Sequence, residues 1–144
     1  MPYNSSSIAD TLPAPAGAVY GQPRVWLRLE GAAAFGAAVT AYTTGGHSWV
    51  LFGLLFFLPD VTFLGYLAGP RLGAYCYNTI HNYALPFTAG ILLHWLGRSV
   101  AVPIVWAAHI GFDRALGYGL KYAGGFGHTH LGRLGGGTGH TDAT

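Results

Sequence analysis

Apolar residues fall along this chain in four long runs, with no short alternating stretches between them. The runs cover about Val25 to Thr44, Ser48 to Ala68, Leu72 to Leu96 and Val100 to Tyr122. Each is close to the ~20 residues that a helix needs to cross a bilayer. The breaks are short and consist of turn residues: Thr44-Gly45-Gly46-His47, Gly69-Pro70-Arg71 and Gly97-Arg98-Ser99. In lipid such runs must be helical, because each backbone polar group has to be satisfied within its own segment. Short connections make successive helices antiparallel. The pattern predicts an all-α integral membrane protein, an antiparallel four-helix transmembrane bundle over residues 24–122. Residues 1–23 mix Ser, Pro, Ala and Gly without apolar periodicity and predict a flexible arm. Residues 123–144 are rich in Gly and His and predict a flexible tail.

Composition sharpens this picture. The 144 residues include seven basic and five acidic side chains, 8% of the chain, where a soluble globular domain carries about 25%. With 51% hydrophobic and 15% aromatic residues, an ordinary soluble enzyme domain and a disordered chain are excluded. So is a basic nucleic-acid binder, so no nucleic-acid partner is expected. The net charge of +2 is too small to name a partner. Cys76 stands alone, which rules out an intrachain disulfide. The start of the chain lacks the basic residues and apolar run of a secretion signal. With four spans, both termini and the Gly69–Arg71 turn share one side. That side collects Arg24, Arg28, Arg71, Arg114, Lys121 and Arg133, against Arg98 alone opposite. The positive-inside bias places both termini in the cytoplasm, in an inner (plasma) membrane protein. Gly31, Gly36, Gly65, Gly69 and Gly73 read as points where helices approach closely.

The candidate chemistry lies in charges that lipid disfavours. Glu30, Asp60 and Asp113 fall inside predicted spans, joined by His81, His109, Asn78 and Asn82. A charge at mid-bilayer costs about 2.5–3.5 kcal/mol or more, so such groups must meet partners, and by default they mark function. Counting from the turns at 1.5 Å per residue puts Glu30, Asp60, His81 and Asp113 within about 3 Å of one level, with His109 about a turn away. His109 and Asp113 are four apart and share a helix face. Asn78, His81 and Asn82 also share one. Pro59 removes a helix hydrogen bond just before Asp60. Imidazole and carboxylate together form the usual ligand set for zinc, iron or manganese. Asp60, His81, His109 and Asp113 are therefore candidate ligands of one divalent metal, with Glu30 as a further ligand or the general base. Asn78 and Asn82 are candidates for orienting a ligand or substrate, and Arg114 for holding a phosphate or pairing with Glu30. His128, His130 and His140 are simplest to read as ordinary tail residues.

Several segments carry a resemblance: LRLEG (27–31), LPDVTFLGYLAGPRLGA (58–74), YNTIHNY (77–83), AHIGFDRALGYGLKY (108–122) and THLG (129–132). Through them the run from Trp26 to Gly132 resembles domain-of-unknown-function family 4260, small bacterial multi-pass membrane proteins. That resemblance brings no activity with it. The order Pro59-Asp60, His81 and His109-Ile110-Gly111-Phe112-Asp113 also resembles membrane-bound metal-dependent hydrolases. Those proteins carry a further Asp near the Pro-Asp and a second His near the first. Here Thr62, Phe63 and Asn78 stand instead, which leaves ligands for one metal, with Glu30 to compensate.

The leading expectation is thus a membrane hydrolase that uses a divalent metal on a lipid or other amphiphile. Its expected partners are membrane lipids, a second copy of the chain or a larger membrane complex. A haem- or quinone-linked subunit with His81 and His109 as axial ligands is the second expectation. A non-catalytic polar layer that fixes helix register, with separate pairs such as Glu30–Arg114 and Asp113–His81, is the third.

Overall fold

The first apolar run forms one helix, α1 (Gly21–Thr44), in the computed structural model, which describes residues 17–134. The second run divides into α2 (Trp49–Phe56) and a 3₁₀ helix, Leu58–Ala68. Pro59 explains the change, since it has no N–H to continue the α-helical ladder. The third run also divides, into α3 (Pro70–Ile80) and α4 (Ala84–Trp95). At that break the Asn82 amide donates to the carbonyls of Asn78 (2.9 Å) and Thr79 (2.7 Å), and its oxygen accepts from the Ala84 N–H at 3.0 Å. One side chain thereby satisfies orphan groups of both helix ends. Pro86 sits in the first turn of α4, where its missing N–H costs nothing. The fourth run, α5 (Ala101–Leu116), ends earlier than expected, at Gly117 with φ +95°. That left-handed position is where glycine closes a helix.

The fold is therefore mostly helical, as the apolar pattern predicts. Among the described residues one helical stretch, Trp49–Ala68, is long and apolar enough to cross a membrane, with mean hydropathy 1.9 and 6% of it buried. The other three runs fall short for visible reasons. α1 carries Arg24, Arg28 and Glu30 in its first half, the third run is interrupted at residues 81–83, and α5 has 16 residues. Large apolar side chains nevertheless cover the outside, among them Leu67, Trp95, Val50 and Leu54. The interior cluster joins Tyr42, Phe56, Ala101, Val105 and Ala108.

Residues 123–134 are ordered, which corrects their reading as part of a flexible tail. Strands β1 (His128–Thr129) and β2 (Gly132–Arg133) pair antiparallel, and Thr129 and Leu131 are fully buried. This cap is tied to α3 by Asn78, whose amide donates to the Lys121 carbonyl (2.8 Å) while its oxygen accepts the Lys121 N–H (2.7 Å). Polar hydrogen bonding to buried backbone gave no apolar signal that the pattern could register. The Val19 N–H donates to the His130 carbonyl at 2.8 Å, so part of the expected N-terminal arm docks on the same cap. Residues 1–16 and 135–144, with His140, lie outside the described residues.

α1 and α5 approach backbone to backbone. A Cβ built on Gly111 would stand 2.7 Å from the Phe35 nitrogen and 2.9 Å from the Gly31 oxygen, and one on Gly31 would meet Arg114 Cβ. A Cβ built on Gly36 would meet nothing within 4 Å beyond its own helix. Gly111→Ala should therefore destabilise the fold by about 1–3 kcal/mol, read as a lowered thermal midpoint. Gly36→Ala should leave the midpoint unchanged or raise it. Equal midpoints for Gly111→Ala and wild type would remove this crossing from the account of the fold.

Candidate metal centre

Three elements deliver four ionisable side chains to one point. The 3₁₀ helix supplies Asp60, the end of α3 supplies His81, and α5 supplies His109 and Asp113, one ligand atom from each lying within 4.8 Å of every other. His81 Nε2 and His109 Nε2 are 3.1 Å apart. Asp60 Oδ1 stands 3.5 Å from each of these nitrogens. Asp113 Oδ2 is 3.8 Å from His81 Nε2 and 3.6 Å from His109 Nε2. Ligands at 2.0–2.1 Å from a tetrahedral ion are themselves about 3.3 Å apart. The observed spacings bracket that value, so the four groups fit a divalent metal.

The surroundings favour the same use. His81 Nδ1 lies 3.0 Å from the Tyr77 carbonyl, which can only accept, so the proton sits on Nδ1 and the Nε2 lone pair faces the cluster. A ligating histidine is held in this way by its second nitrogen. Both imidazoles are buried, whereas the Asp60 side chain is 33% exposed and that of Asp113 16%. The cluster thus has one open edge, at Asp60.

Tyr77 was not singled out from the sequence, yet it touches two of the four groups. Its hydroxyl donates to Asp113 Oδ2 at 3.0 Å. Its ring stacks on His81 at 3.7 Å between centroids, and Phe63 stacks on Tyr77 in turn. The signal was present in the spacing, since Tyr77 and His81 are four apart on one helix face.

The remaining expected site residues are placed otherwise. Glu30 is exposed on α1, with no hydrogen bond or ion pair among the described residues, and is not part of the cluster. Its neighbour Gly31 faces α5 instead, and a single helical step of about 100° turns Glu30 away. The side-chain amides of Asn78 and Asn82 are engaged with backbone and hold the cap and the α3–α4 break. Arg114 forms no ion pair with Glu30. It donates through Nη2 to the His81 carbonyl at 3.1 Å and lies 3.1–3.2 Å from the His130 ring nitrogens. It fixes the backbone of a cluster residue to the cap.

A family model described as domain of unknown function (DUF4260) matches residues 24–134, and the chain belongs to that family. No curated protein and no solved structure matches it.

His130 gives the cap a pH dependence. The Leu120 N–H donates to His130 Nδ1 at 2.8 Å, so that nitrogen carries no proton in the fold. Burial, reinforced by the Arg114 guanidinium, holds the His130 pKa below the usual 6.5. The neutral ring supports the fold fully above pH 6.5, and its contribution is lost as pH falls from there through the lowered folded value. Corrected for intrinsic rates, exchange of the Leu120 amide should accelerate between about pH 7 and about pH 5. Leu120 protection that is the same at both ends of that range would refute the assignment.

Proposed function

We propose that the chain is a multi-pass membrane protein that hydrolyses a lipid or other amphiphile with a divalent metal, zinc, iron or manganese, between its helices. The observation that carries the reading is the convergence of two histidines and two aspartates from three elements. The apolar outer surface and the span-length stretch Trp49–Ala68 support the membrane setting.

In this reading His81, His109 and Asp113 hold the metal, and Tyr77 orients Asp113. A catalytic site keeps a coordination position open, whereas four protein ligands close a tetrahedral zinc site. Asp60, the most exposed of the four, therefore serves as the general base in place of Glu30. The metal, when bound, supplies Lewis acidity and a source of hydroxide at neutral pH. Asp60 Oδ1 takes a proton from the attacking water and returns it to the leaving oxygen, so an ester and water give an acid and an alcohol. A carboxylate in this role is worth about 10²–10⁴ in rate. Arg114 and Asn78 keep the His81 turn and the cap in register around the site.

Metal analysis of the protein purified in mild detergent under metal-replete conditions is the test. His109→Ala and Asp113→Asn should lose the metal while still inserting into membranes. Tyr77→Phe should weaken metal affinity by about 10–100-fold. Asp60→Asn should retain metal but lose turnover of amphiphilic esters. A wild-type protein without metal under these conditions would overturn the metal reading. Topology is tested separately, by thiol labelling of intact cells in a Cys76→Ser background. Ser99→Cys should react with an impermeant reagent from outside and Arg133→Cys only after lysis. The reverse pattern would invert the orientation, with both termini outside.

A further inference from the structure

Beside the cluster lies a cleft of about 370 Å³, within the size range of small-molecule sites. Each element that contributes a cluster residue also contributes a wall. Pro59, Val61 and Thr62 flank Asp60, Ile80 precedes His81, and Val102 and Trp106 lie about two turns and one turn before His109. Along α5, Val102, Trp106, His109 and Asp113 are separated by four, three and four residues, so they share one face. Trp106 and His109 are about 4.5 Å apart in rise. Cleft and cluster thus draw on the same three elements, with cleft walls next to Asp60 and His81 in the chain and one turn from His109.

The cleft offers nothing to a polar guest. Its side-chain polar atoms on Thr62 and Trp106 are already engaged: the Thr62 hydroxyl donates to the Pro59 carbonyl at 2.7 Å and Trp106 Nε1–H to the Ile80 carbonyl at 2.8 Å. The other walls named are hydrocarbon. Val61 and Val102 are 56% and 49% exposed on the outer surface, so the groove opens sideways, where acyl chains would surround a membrane protein.

We infer that this cleft is the acyl-chain subsite of the site proposed above: a hydrocarbon tail enters laterally between Val61 and Val102, and its hydrolysable polar head rests at the open edge marked by Asp60. The inference rests on the membrane hydrolase reading and adds the tail, its seat and its route of entry. The substrate class is an acyl ester with at least one hydrocarbon chain beside the scissile group. Because the surrounding lipid is as apolar as the cleft, the tail gains little from burial itself. The cleft acts by aligning the ester with the cluster.

The test uses the metal-replete full-length protein in liposomes with a monoacylglycerol that carries a diazirine in its acyl chain. After irradiation, peptide mapping should find label concentrated on Trp106 and Val102 relative to Leu92, an exposed α4 residue outside the cleft. Unlabelled monoacylglycerol should compete at the cleft and not at Leu92. Val102→Trp and Val61→Trp, both at exposed walls, should each fill the entrance and cut cleft labelling at least about tenfold, with metal content unchanged. Label spread evenly over cleft and outer surface, or unaltered by both substitutions, would overturn the subsite. Metal content and wild-type turnover of amphiphilic esters are read separately from the labelling, so failure of the hydrolase reading and failure of the subsite can be told apart.

Discussion

Two aspartates and two histidines inside a helical assembly with a hydrocarbon exterior impose the constraint on which the rest of the structure depends. Each group alone would carry a large desolvation cost, and no single partner removes it for all four. Bringing them to one point lets every imidazole face two carboxylates at 3.5–3.8 Å. It also creates a donor set of nitrogen and oxygen atoms that a divalent ion can neutralise. The architecture around the cluster follows from the need to reach that point from three directions.

Two interruptions of regular helix make the convergence possible. Pro59 converts the second run to 3₁₀ geometry, and Asp60 follows at once on the tighter turn. The Asn82 side chain ends α3 and starts α4, which leaves His81 at the break with its backbone carbonyl free to accept Arg114. Continuous α-helices through both positions would have aimed these residues by helical phase alone. Polar side chains at the breaks meet the backbone groups that the interruptions release.

The close crossing of α1 and α5 sets the position of the third contributor. Gly31 and Gly111 remove side chains from the contact, so α5 lies against the longest helix of the fold, with His109 and Asp113 turned towards α3 and the 3₁₀ helix. The cap then closes the cytoplasmic side in the proposed topology, through Asn78, Lys121, Arg114 and His130. Tyr77 links this frame to the cluster itself, with its hydroxyl on Asp113 and its ring on His81. Ligand geometry and cap position are consequently coupled through a few side chains.

The sequence by itself determined the helical class, the four apolar runs and their turns. It also marked Asp60, His81, His109 and Asp113 as one group, because depth follows from simple residue counting and the i, i+4 spacing fixes a shared face. It could not determine rotation of one helix against another. Glu30 lies at the right depth yet points outward, since which face of α1 meets α5 was decided by the fit of Gly31 against Gly111. Asn78, Asn82 and Arg114 had the composition of ligand-binding residues, but their partners are backbone groups and the His130 ring, far along the chain or at helix ends that only the folded structure creates. The order of residues 123–134 is of the same kind, built from long-range hydrogen bonds with little apolar periodicity. Periodicity records what each segment does along its own axis; tertiary packing alone decides which neighbour each polar group meets.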